Sequence, residues 1–239
     1  MTRTRIHNLS ISLDGFATGE GQRADAPMGH ADGRLHQWMF ATRFGAPILG
    51  RTGGSSGVDD AFAEQHEPGI GAEIMGAGKF GPPGWQDDGD WKGWWGPDPP
   101  FHTPTFVLTH RPRPPIEMEG GTTFHFLDAS PADALDVARE AAGGQDVRIG
   151  GGPTMARDFI AAGLVDHIHL VQVPIRARPG GPAVGRPGSA RDGLRRRGGL
   201  GTQRRHPPHL HADRVRRSLS WCERSWIYSR NLGRGQRFL

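Results

Sequence analysis

The sequence predicts an α/β domain over residues 1–175, built on a mostly parallel central sheet with helices on both faces. Strand-like apolar segments alternate with segments of helical spacing, the pattern typical of parallel sheets. Residues 146–149 form such a strand-like segment and run into three glycines and then a helical segment. From residue 176 onward Arg, Gly and Pro dominate, so we expect an irregular or disordered region there.

The first half of the domain is expected to hold three strands and two helices. Residues 6–13 alternate apolar and polar side chains and end in an Asp14-Gly15 turn. Apolar side chains recur at helical spacing in residues 34–43, and Asp59 suits the first turn of a helix that begins near Val58. The predicted strands of this half are 6–13, 46–49 and 72–76.

The second half alternates strand and helix more regularly. Residues 81–104 are dense in Gly, Pro and Trp, which predicts a long loop with aromatic anchors. Ser130 is placed to cap a helix that begins at Pro131 and is closed by glycines at 143 and 144. The other predicted elements are strands 105–109, 123–127, 146–149 and 168–175 and a helix over 153–162.

Charge divides the chain at the same point as the pattern. Residues 176–239 carry sixteen arginines and three acidic residues, whereas residues 1–175 carry thirteen basic and twenty-two acidic residues. We hypothesise that the coding frame changes near Arg176, which translation of the DNA in its other two frames would test. The alternative is a nucleic-acid-binding arm, because clustered arginines neutralise phosphates without a fold. Scarce lysine and the lack of a recognition module count against that alternative.

Cysteine usage and the N-terminus indicate a cytoplasmic protein. Cys222 is the only cysteine, so no disulfide forms within the chain. The first residues lack the apolar stretch of a signal peptide, and no apolar run approaches the roughly 18 residues of a membrane span. His206, His209 and His211 are close in sequence, but without supporting structure we interpret their spacing as coincidence and predict no metal site.

Gly150, Gly151 and Gly152 are the strongest candidates for a ligand site. A strand that leads through glycines into a helix directs free backbone N–H groups and the positive helix end to one point, which suits a phosphate. Thr154 at the helix start adds a hydroxyl donor. A tight turn without a ligand is an alternative of equal weight for a bare triple glycine.

A second glycine pattern, Gly76-Ala-Gly78-Lys-Phe-Gly81, satisfies the spacing of a dinucleotide fingerprint. Two prolines and a glycine follow it where a Rossmann-type fold needs a helix, so we interpret the match as accidental. Lys79 is still a candidate phosphate ligand, although a loop lysine is more often simply solvated.

Several segments in order resemble one family. They are Ile11-Ser-Leu-Asp14-Gly15-Phe16, Glu73-Ile-Met-Gly76 with Phe80-Gly81-Pro82, Phe106-Val-Leu-Thr109-His110, Gly120-Gly-Thr-Thr-Phe-His-Phe126, Val147-Arg-Ile-Gly-Gly-Gly152 and Ala162-Gly-Leu-Val-Asp166. Together they resemble the bacterial dihydrofolate-reductase-like proteins, which share a fold with the reductase domain of the riboflavin-biosynthesis deaminase-reductase. The likeness covers about residues 1–175 and favours the phosphate interpretation of the three glycines.

The resemblance implies a three-layer dihydrofolate-reductase-like fold, a homodimer, and NADPH bound across the carboxyl ends of the strands. It further implies hydride transfer to a small heterocyclic substrate, pterin-like or pyrimidine-like, or to a carbonyl. Asp14 beside the nicotinamide would orient substrate or relay a proton, and a turn-capping role is the alternative. The cofactor-binding candidates are Gly15, Gly76, Lys79, Leu108, Thr109, His110, Gly150, Gly151, Gly152 and Thr154.

Two features depart from the family's pattern. An arginine that meets the 2′-phosphate of NADPH usually follows the glycine matching Gly76, and here Ala77 occupies that position. NADH is therefore a possible cofactor, and Lys79, His110 or Arg111 would have to supply compensating charge. In the family the last strand continues into an antiparallel hairpin, whereas here the Arg-rich stretch begins. We expect the 1–175 domain to lack that hairpin and its activity to be impaired.

Overall fold

A seven-stranded sheet forms the centre of the computed structural model, which describes residues 2–177. The strands are β1 (Thr4–Ser12), β2 (Ile70–Gly76), β3 (Pro104–Leu108), β4 (Ile116–Glu117), β5 (Thr123–Leu127), β6 (Asp146–Ile149) and β7 (His167–Val173). In space they lie in the order β4-β5-β3-β2-β6-β1-β7. Every neighbouring pair is parallel except β4 and β5, which confirms the mostly parallel sheet.

Helices follow several of the strands. Those of the described residues are α1 (Gln37–Phe40), α2 (Val58–Glu64), α3 (Ala77–Phe80), α4 (Pro131–Ala141) and α5 (Pro153–Ala161). Helix α4 begins as predicted, because the Ser130 hydroxyl accepts a hydrogen bond from the backbone N–H of Asp133 at 3.2 Å. After α4 the chain turns at Gly143, whose φ of +56° lies in the left-handed region that favours glycine.

The helices and loops complete three layers, as predicted. Helices α4 and α5 cover one face of the sheet, and the core between them includes Ile74, Phe106, Leu135 and Phe159. The chain between β1 and β2, with α1 and α2, covers the β1–β7 side of the opposite face. The Trp-rich loop covers the rest of that face.

The Trp-rich loop is fixed to the domain by its aromatic side chains. The Trp85 indole is 3% exposed and donates from Nε1 to the Ala77 carbonyl at 3.0 Å. The Trp91 indole donates to the Phe80 carbonyl at 3.1 Å, and the Trp95 ring stacks on Phe124 at 5.9 Å between centroids. These contacts explain how a long segment rich in glycine and proline keeps one path over the sheet.

The structure corrects three details of the predicted elements. Residues 46–49 do not form a strand, because Pro47–Leu49 is a single 3₁₀ turn that ends at Gly50 with φ +65°. The helix predicted over 34–43 is shorter, since a 3₁₀ segment precedes α1 and a turn follows it. Helix α3 and strand β4 were not expected, and each is too short to leave a periodic apolar pattern.

The predicted tail falls almost entirely outside the described residues. The frame-change hypothesis, the nucleic-acid arm and the histidines at 206, 209 and 211 concern residues 178–239, for which the structure gives no placement. Within residues 2–177, no helix has the length and apolar character that a membrane crossing needs.

Candidate functional site

The loops after β2 and β6 leave the sheet in opposite directions. From β2 the chain passes to β3 on one side, and from β6 it passes to β7 on the other side. Because β2 and β6 are parallel neighbours, their carboxyl ends border a crevice at the point where the strand order reverses. Ligands of open α/β sheets bind at such points. The crevice between β2 and β6 is therefore the candidate site.

Backbone hydrogen bonds join the two sides of this crevice. The N–H of Gly150 donates to the Ile74 carbonyl at 2.8 Å, and the N–H of Gly76 donates to the Gly151 carbonyl at 3.2 Å. Gly151 has φ +110°, a backbone conformation that residues other than glycine rarely adopt. The structure thus brings Gly76, Gly150, Gly151 and Gly152 together at one edge of the sheet.

The glycine turn leads into an uncapped helix end. Helix α5 begins at Pro153, and its N-cap residue, Gly152, has no side chain to cap the first turn. The first N–H groups of a helix have no partner within the helix and form the positive end of its dipole. A Cβ built on Gly152 meets no atom within 4 Å, so the space beside the turn is open. Thr154 is exposed in the first turn of α5.

A buried carboxylate lies directly beneath the turn. The Glu73 side chain is fully buried, and its Oε1 accepts a hydrogen bond from the Lys79 ammonium at 2.7 Å. Its Oε2 accepts from the Arg148 guanidinium through Nε at 2.8 Å and through Nη2. Burial alone would raise the pKa of Glu73, but the two cations lower it to about 2. Glu73 is therefore ionised at neutral pH.

The contact with Glu73 explains why residue 150 is a glycine. A Cβ at position 150 would lie 1.8 Å from Glu73 Oε1 and 2.7 Å from Lys79 Nζ. Neither distance is compatible with van der Waals radii, so any side chain there would displace the carboxylate. One of the three glycines is thus required by the interior of the protein, while Gly152 faces open space.

Lys79, a candidate phosphate ligand, lies at this crevice but pairs with a protein carboxylate. Its side chain is 27% exposed, and its ammonium lies 5.2 Å from the centroid of the Phe101 ring. Desolvation, followed by the nearby Arg148 charge, lowers the pKa of Lys79 despite the opposing effect of Glu73. The ammonium is held between a buried carboxylate and aromatic rings.

Asp14 and Gly15 lie in the turn after β1, the strand next to β6. Asp14 Oδ1 accepts hydrogen bonds from the Ser12 hydroxyl at 2.6 Å and from the Ala177 N–H at 2.9 Å. These bonds, the Ser12 one first, lower the pKa of Asp14. Gly15 has φ +85° and donates its N–H to the Ser12 carbonyl. The Asp14 carboxylate ties the β1 turn to the segment after β7.

The candidates after β3 lie at the same sheet edge, on the far side of β2. Leu108 ends β3, and the Thr109 N–H continues the ladder by donating to the Leu127 carbonyl at 2.8 Å. His110 Nδ1 lies 2.9 Å from an Asp128 carboxylate oxygen, and both side chains are exposed. Thr109 is buried, so the imidazole of His110 is the accessible group of the three.

The three side chains that were expected to compensate for Ala77 all have carboxylate neighbours. Lys79 pairs with Glu73, and His110 with Asp128. The Arg111 guanidinium donates to the Asp87 carboxylate at 2.7 Å. Ala77 itself begins α3, and its carbonyl accepts the indole N–H of Trp85.

Sequence reasoning missed a row of polar residues that crosses four strands on the face opposite α4 and α5. We call this set the polar row: Glu73 on β2, Arg148 on β6, Arg5 on β1 and His167 on β7, each in register with the next. The first three are at most 8% exposed. The residues of the polar row alternate with apolar neighbours along their strands, which is the pattern of a sheet with one face in water. They are interior residues because the segment that contains α2 covers this face.

Histidines near the polar row are held neutral. Burial lowers the pKa of His66 to about 3 and that of His169 to about 4, and the charge of Arg148 adds to the effect at His66. Burial and the positive charge of Lys79 lower the pKa of His36 to about 4. Unfolded histidines titrate near pH 6.5, so between pH 6.5 and 4 the unfolded chain takes up protons that the folded chain does not.

We therefore expect the free energy of unfolding to fall as the pH drops from 6.5 to 4. Each fully shifted histidine contributes at most about 1.4 kcal/mol per pH unit. The Glu73 contribution is present above pH 4.5 and is lost as the pH falls towards 2, so it adds a second decline. Urea denaturation at several pH values measures both declines.

His66→Gln should flatten the first decline in the free energy of unfolding. His125→Gln, a substitution on the α4 face, should not flatten it. Equal slopes for the two variants would contradict the assignment of the decline to His66.

The fold and the crevice together define an α/β domain with a glycine turn at a switch point of its sheet. The sequence of residues 3–177 matches the RibD C-terminal domain family. The chain therefore belongs to this family, and it is an oxidoreductase domain of the riboflavin-pathway type. The matched region ends next to the change of composition at residue 176.

Two solved structures are similar to this chain. A protein described as a riboflavin biosynthesis protein from Shewanella sp. PV-4 is 20% identical, with a TM-score of 0.43 over 78% of this chain and 84% of that one. A pyrimidine reductase-like protein from Corynebacterium diphtheriae is 16% identical, with a TM-score of 0.39 over 74% of this chain and 77% of that one. No curated protein matches the sequence.

Proposed function

We propose that the chain is an NADPH-dependent reductase that transfers hydride to a small heterocyclic substrate, pterin-like or pyrimidine-like, or to a carbonyl compound. The observation that carries the proposal is the open glycine turn at the β2–β6 crevice, with the uncapped end of α5 behind it. A pyrophosphate fits that arrangement because backbone N–H groups and the helix dipole both favour an anion. The family of the domain supports the same reaction class.

The residues present fit the diphosphate part of the cofactor. The N–H groups of Gly151 and Gly152 and the hydroxyl of Thr154 would hold the pyrophosphate, while Gly76 lets the β2 loop approach it. Leu108, Thr109 and His110 would border the adenosine end, and Gly15 the nicotinamide end. When bound, the cofactor supplies the hydride.

We assign Asp14 an orienting function and not proton donation. Reduction of a C=N or C=O bond consumes a proton, and a group that supplies it must hold that proton at working pH. The lowered pKa keeps Asp14 ionised, and its Oδ1 is engaged by Ser12 and Ala177. Its Oδ2 is buried and has no hydrogen-bond partner among the described residues, so one acceptor is available to orient a bound ligand.

The direct test is a titration of the purified chain with NADPH, followed by nucleotide fluorescence and by thermal unfolding. Binding to the native state alone must raise the unfolding midpoint as the ligand concentration rises. We expect saturable binding and a rising midpoint. A folded chain that neither NADPH nor NADH stabilises would contradict the proposal.

The homodimer that the family resemblance implies stays a prediction. Sedimentation of the full chain tests it.

Ala77→Arg should increase the preference for NADPH over NADH. In the native chain Lys79, His110 and Arg111 each lie beside a carboxylate, so we expect NADPH to bind no more than about tenfold more tightly than NADH. An arginine at 77 would add a forked donor for the 2′-phosphate, worth about tenfold in NADPH affinity. Gly78→Arg adds the same charge one residue further and is the matched control. A clear preference for NADH in the native chain would exclude NADPH as its cofactor.

A further inference from the structure

A second cavity lies on the face of the sheet opposite α4 and α5, beside the segment that follows α2. Its volume is about 240 Å³, and Arg3, Arg5, His7, Gln65, Pro68 and His167 line it. Arg5 is near the start of β1 and His167 begins β7, so the cavity opens at the amino ends of these strands. Arg5 pairs with Arg148, two residues before the glycine turn, but none of the candidate cofactor-binding residues lines the cavity. The cavity is therefore distinct from the proposed cofactor site.

Arg5 is held rigidly in the wall of this cavity. Its Nη2 donates to the Gln65 carbonyl at 2.8 Å, and its Nη1 lies 3.2 Å from Asp146 Oδ2 and 3.3 Å from the Pro68 carbonyl. The residue is 8% exposed. Its remaining donor, Nε, is buried and has no partner among the described residues. Leaving a buried guanidinium N–H without an acceptor costs free energy, and an acceptor group on a ligand would remove that cost.

His7 presents a second orphan atom of opposite character. Its Nε2 lies 2.9 Å from the Phe62 carbonyl, which accepts only if Nε2 carries the hydrogen. Nδ1 is then a lone-pair acceptor, and it is buried without a partner among residues 2–177. The ring stacks against His167 at 5.9 Å between centroids. Burial, together with the charges of Arg5, His167 and Arg148, lowers the pKa of His7, so the imidazole is neutral at pH 7.

The cavity carries a surplus of positive charge. Asp146 is the carboxylate beside it, and it already accepts from the Arg3 N–H and Nε and from Arg5 Nη1. One carboxylate thus faces two guanidinium groups, which favours an anion. The histidines offer no metal site, because in the described part of the chain no three His, Cys, Asp or Glu side chains converge suitably.

We propose that this cavity binds an oxyanion that also carries a hydroxyl group, namely hydrogen phosphate or a phosphomonoester in its monoprotonated form. A charged oxygen of the ligand accepts from Arg5 Nε, and its P–O–H donates to His7 Nδ1. One ligand therefore satisfies both orphan atoms and balances the excess guanidinium charge. Sulfate has the charge but lacks the hydroxyl at neutral pH, so it satisfies only Arg5.

The test is a titration of the full chain with inorganic phosphate at neutral pH and constant ionic strength, followed by calorimetry and by the imidazole proton resonances of His7 and His167. We expect saturable binding that shifts both resonances. Arg3→Gln should weaken binding about tenfold, equivalent to one charge-assisted contact. Arg3 is 62% exposed, so this variant should fold. Arg23→Gln is the matched control, because Arg23 is 66% exposed and pairs with Asp25 on the surface.

Sulfate and a His7 variant test the hydroxyl contact. Glutamine at position 7 can keep the donor to the Phe62 carbonyl but loses the Nδ1 acceptor, so His7→Gln should remove the preference for phosphate over sulfate. Glycerol 3-phosphate distinguishes an organic phosphate from the free ion, and tighter binding of either one supports the site. Equal weakening by Arg3→Gln and Arg23→Gln, equal affinity of the native chain for phosphate and sulfate, or unshifted histidine resonances would overturn the proposal.

Discussion

Replacing Glu73 with glutamine is expected to reduce the free energy of unfolding by about 3–5 kcal/mol, the usual cost of leaving a buried charge without its partner. Arg148 is 3% exposed and directs two guanidinium nitrogens at the Glu73 carboxylate. Glutamine has nearly the same shape but no charge, so the Arg148 cation would stay in the interior without a counter-charge, and only neutral carbonyl oxygens, that of the glutamine and that of His66, would accept from it. Lys79, which is partly exposed, can turn towards solvent, but Arg148 cannot.

Urea denaturation of the native chain and of Glu73→Gln measures this loss directly. Asp158→Asn is the matched control, because Asp158 pairs with Arg157 on the surface and both side chains are 46% exposed. Surface ion pairs contribute about 0–1 kcal/mol, so this variant should unfold almost like the native chain. If Glu73→Gln loses no more stability than Asp158→Asn, the carboxylate does not hold the interior together.

The sequence was sufficient to predict the strands and helices that carry periodic patterns or strong end signals. The Ser130 cap and the glycine turn at 150–152 were found because capping and turn residues act within a few positions of the chain. The strand predicted at 46–49 failed because four apolar residues do not distinguish a strand from a 3₁₀ turn, and Pro47 decides for the turn.

The interior of the candidate site could not be predicted in the same way. The partners of Glu73 lie six and seventy-five residues away, and only the pairing of β2 with β6 brings Arg148 beside it. Lys79 was expected to serve a phosphate, yet its charge is directed to an internal carboxylate. Three glycines in a row also look equivalent in sequence, although one accommodates Glu73 and another faces the open crevice. Such differences depend on tertiary contacts.

Gly150→Ala is expected to cost about 3 kcal/mol or more of stability, because its methyl group would overlap Glu73 Oε1 and force either the turn or the carboxylate to move. Gly78→Ala is the control for the same change beside the site, since its Cβ meets nothing within 4 Å, and we expect it to be neutral or slightly stabilising.

Gly152→Ala should leave the free energy of unfolding within about 1 kcal/mol of the native value. It should weaken nucleotide binding, because its methyl group enters the open crevice.

The cause of the Gly150 effect can be isolated with a double-mutant cycle. If the methyl group acts through Glu73, then Gly150→Ala should cost little in a Glu73→Ala background, where the overlapping carboxylate is absent. The two substitutions would then be non-additive by about 2 kcal/mol or more, as is found for residues in direct contact. Additive losses would show that the Gly150 effect does not act through Glu73. Non-additive losses together with normal nucleotide binding by the Glu73→Ala variant would separate the structural task of Gly150 from the ligand-binding task of Gly152.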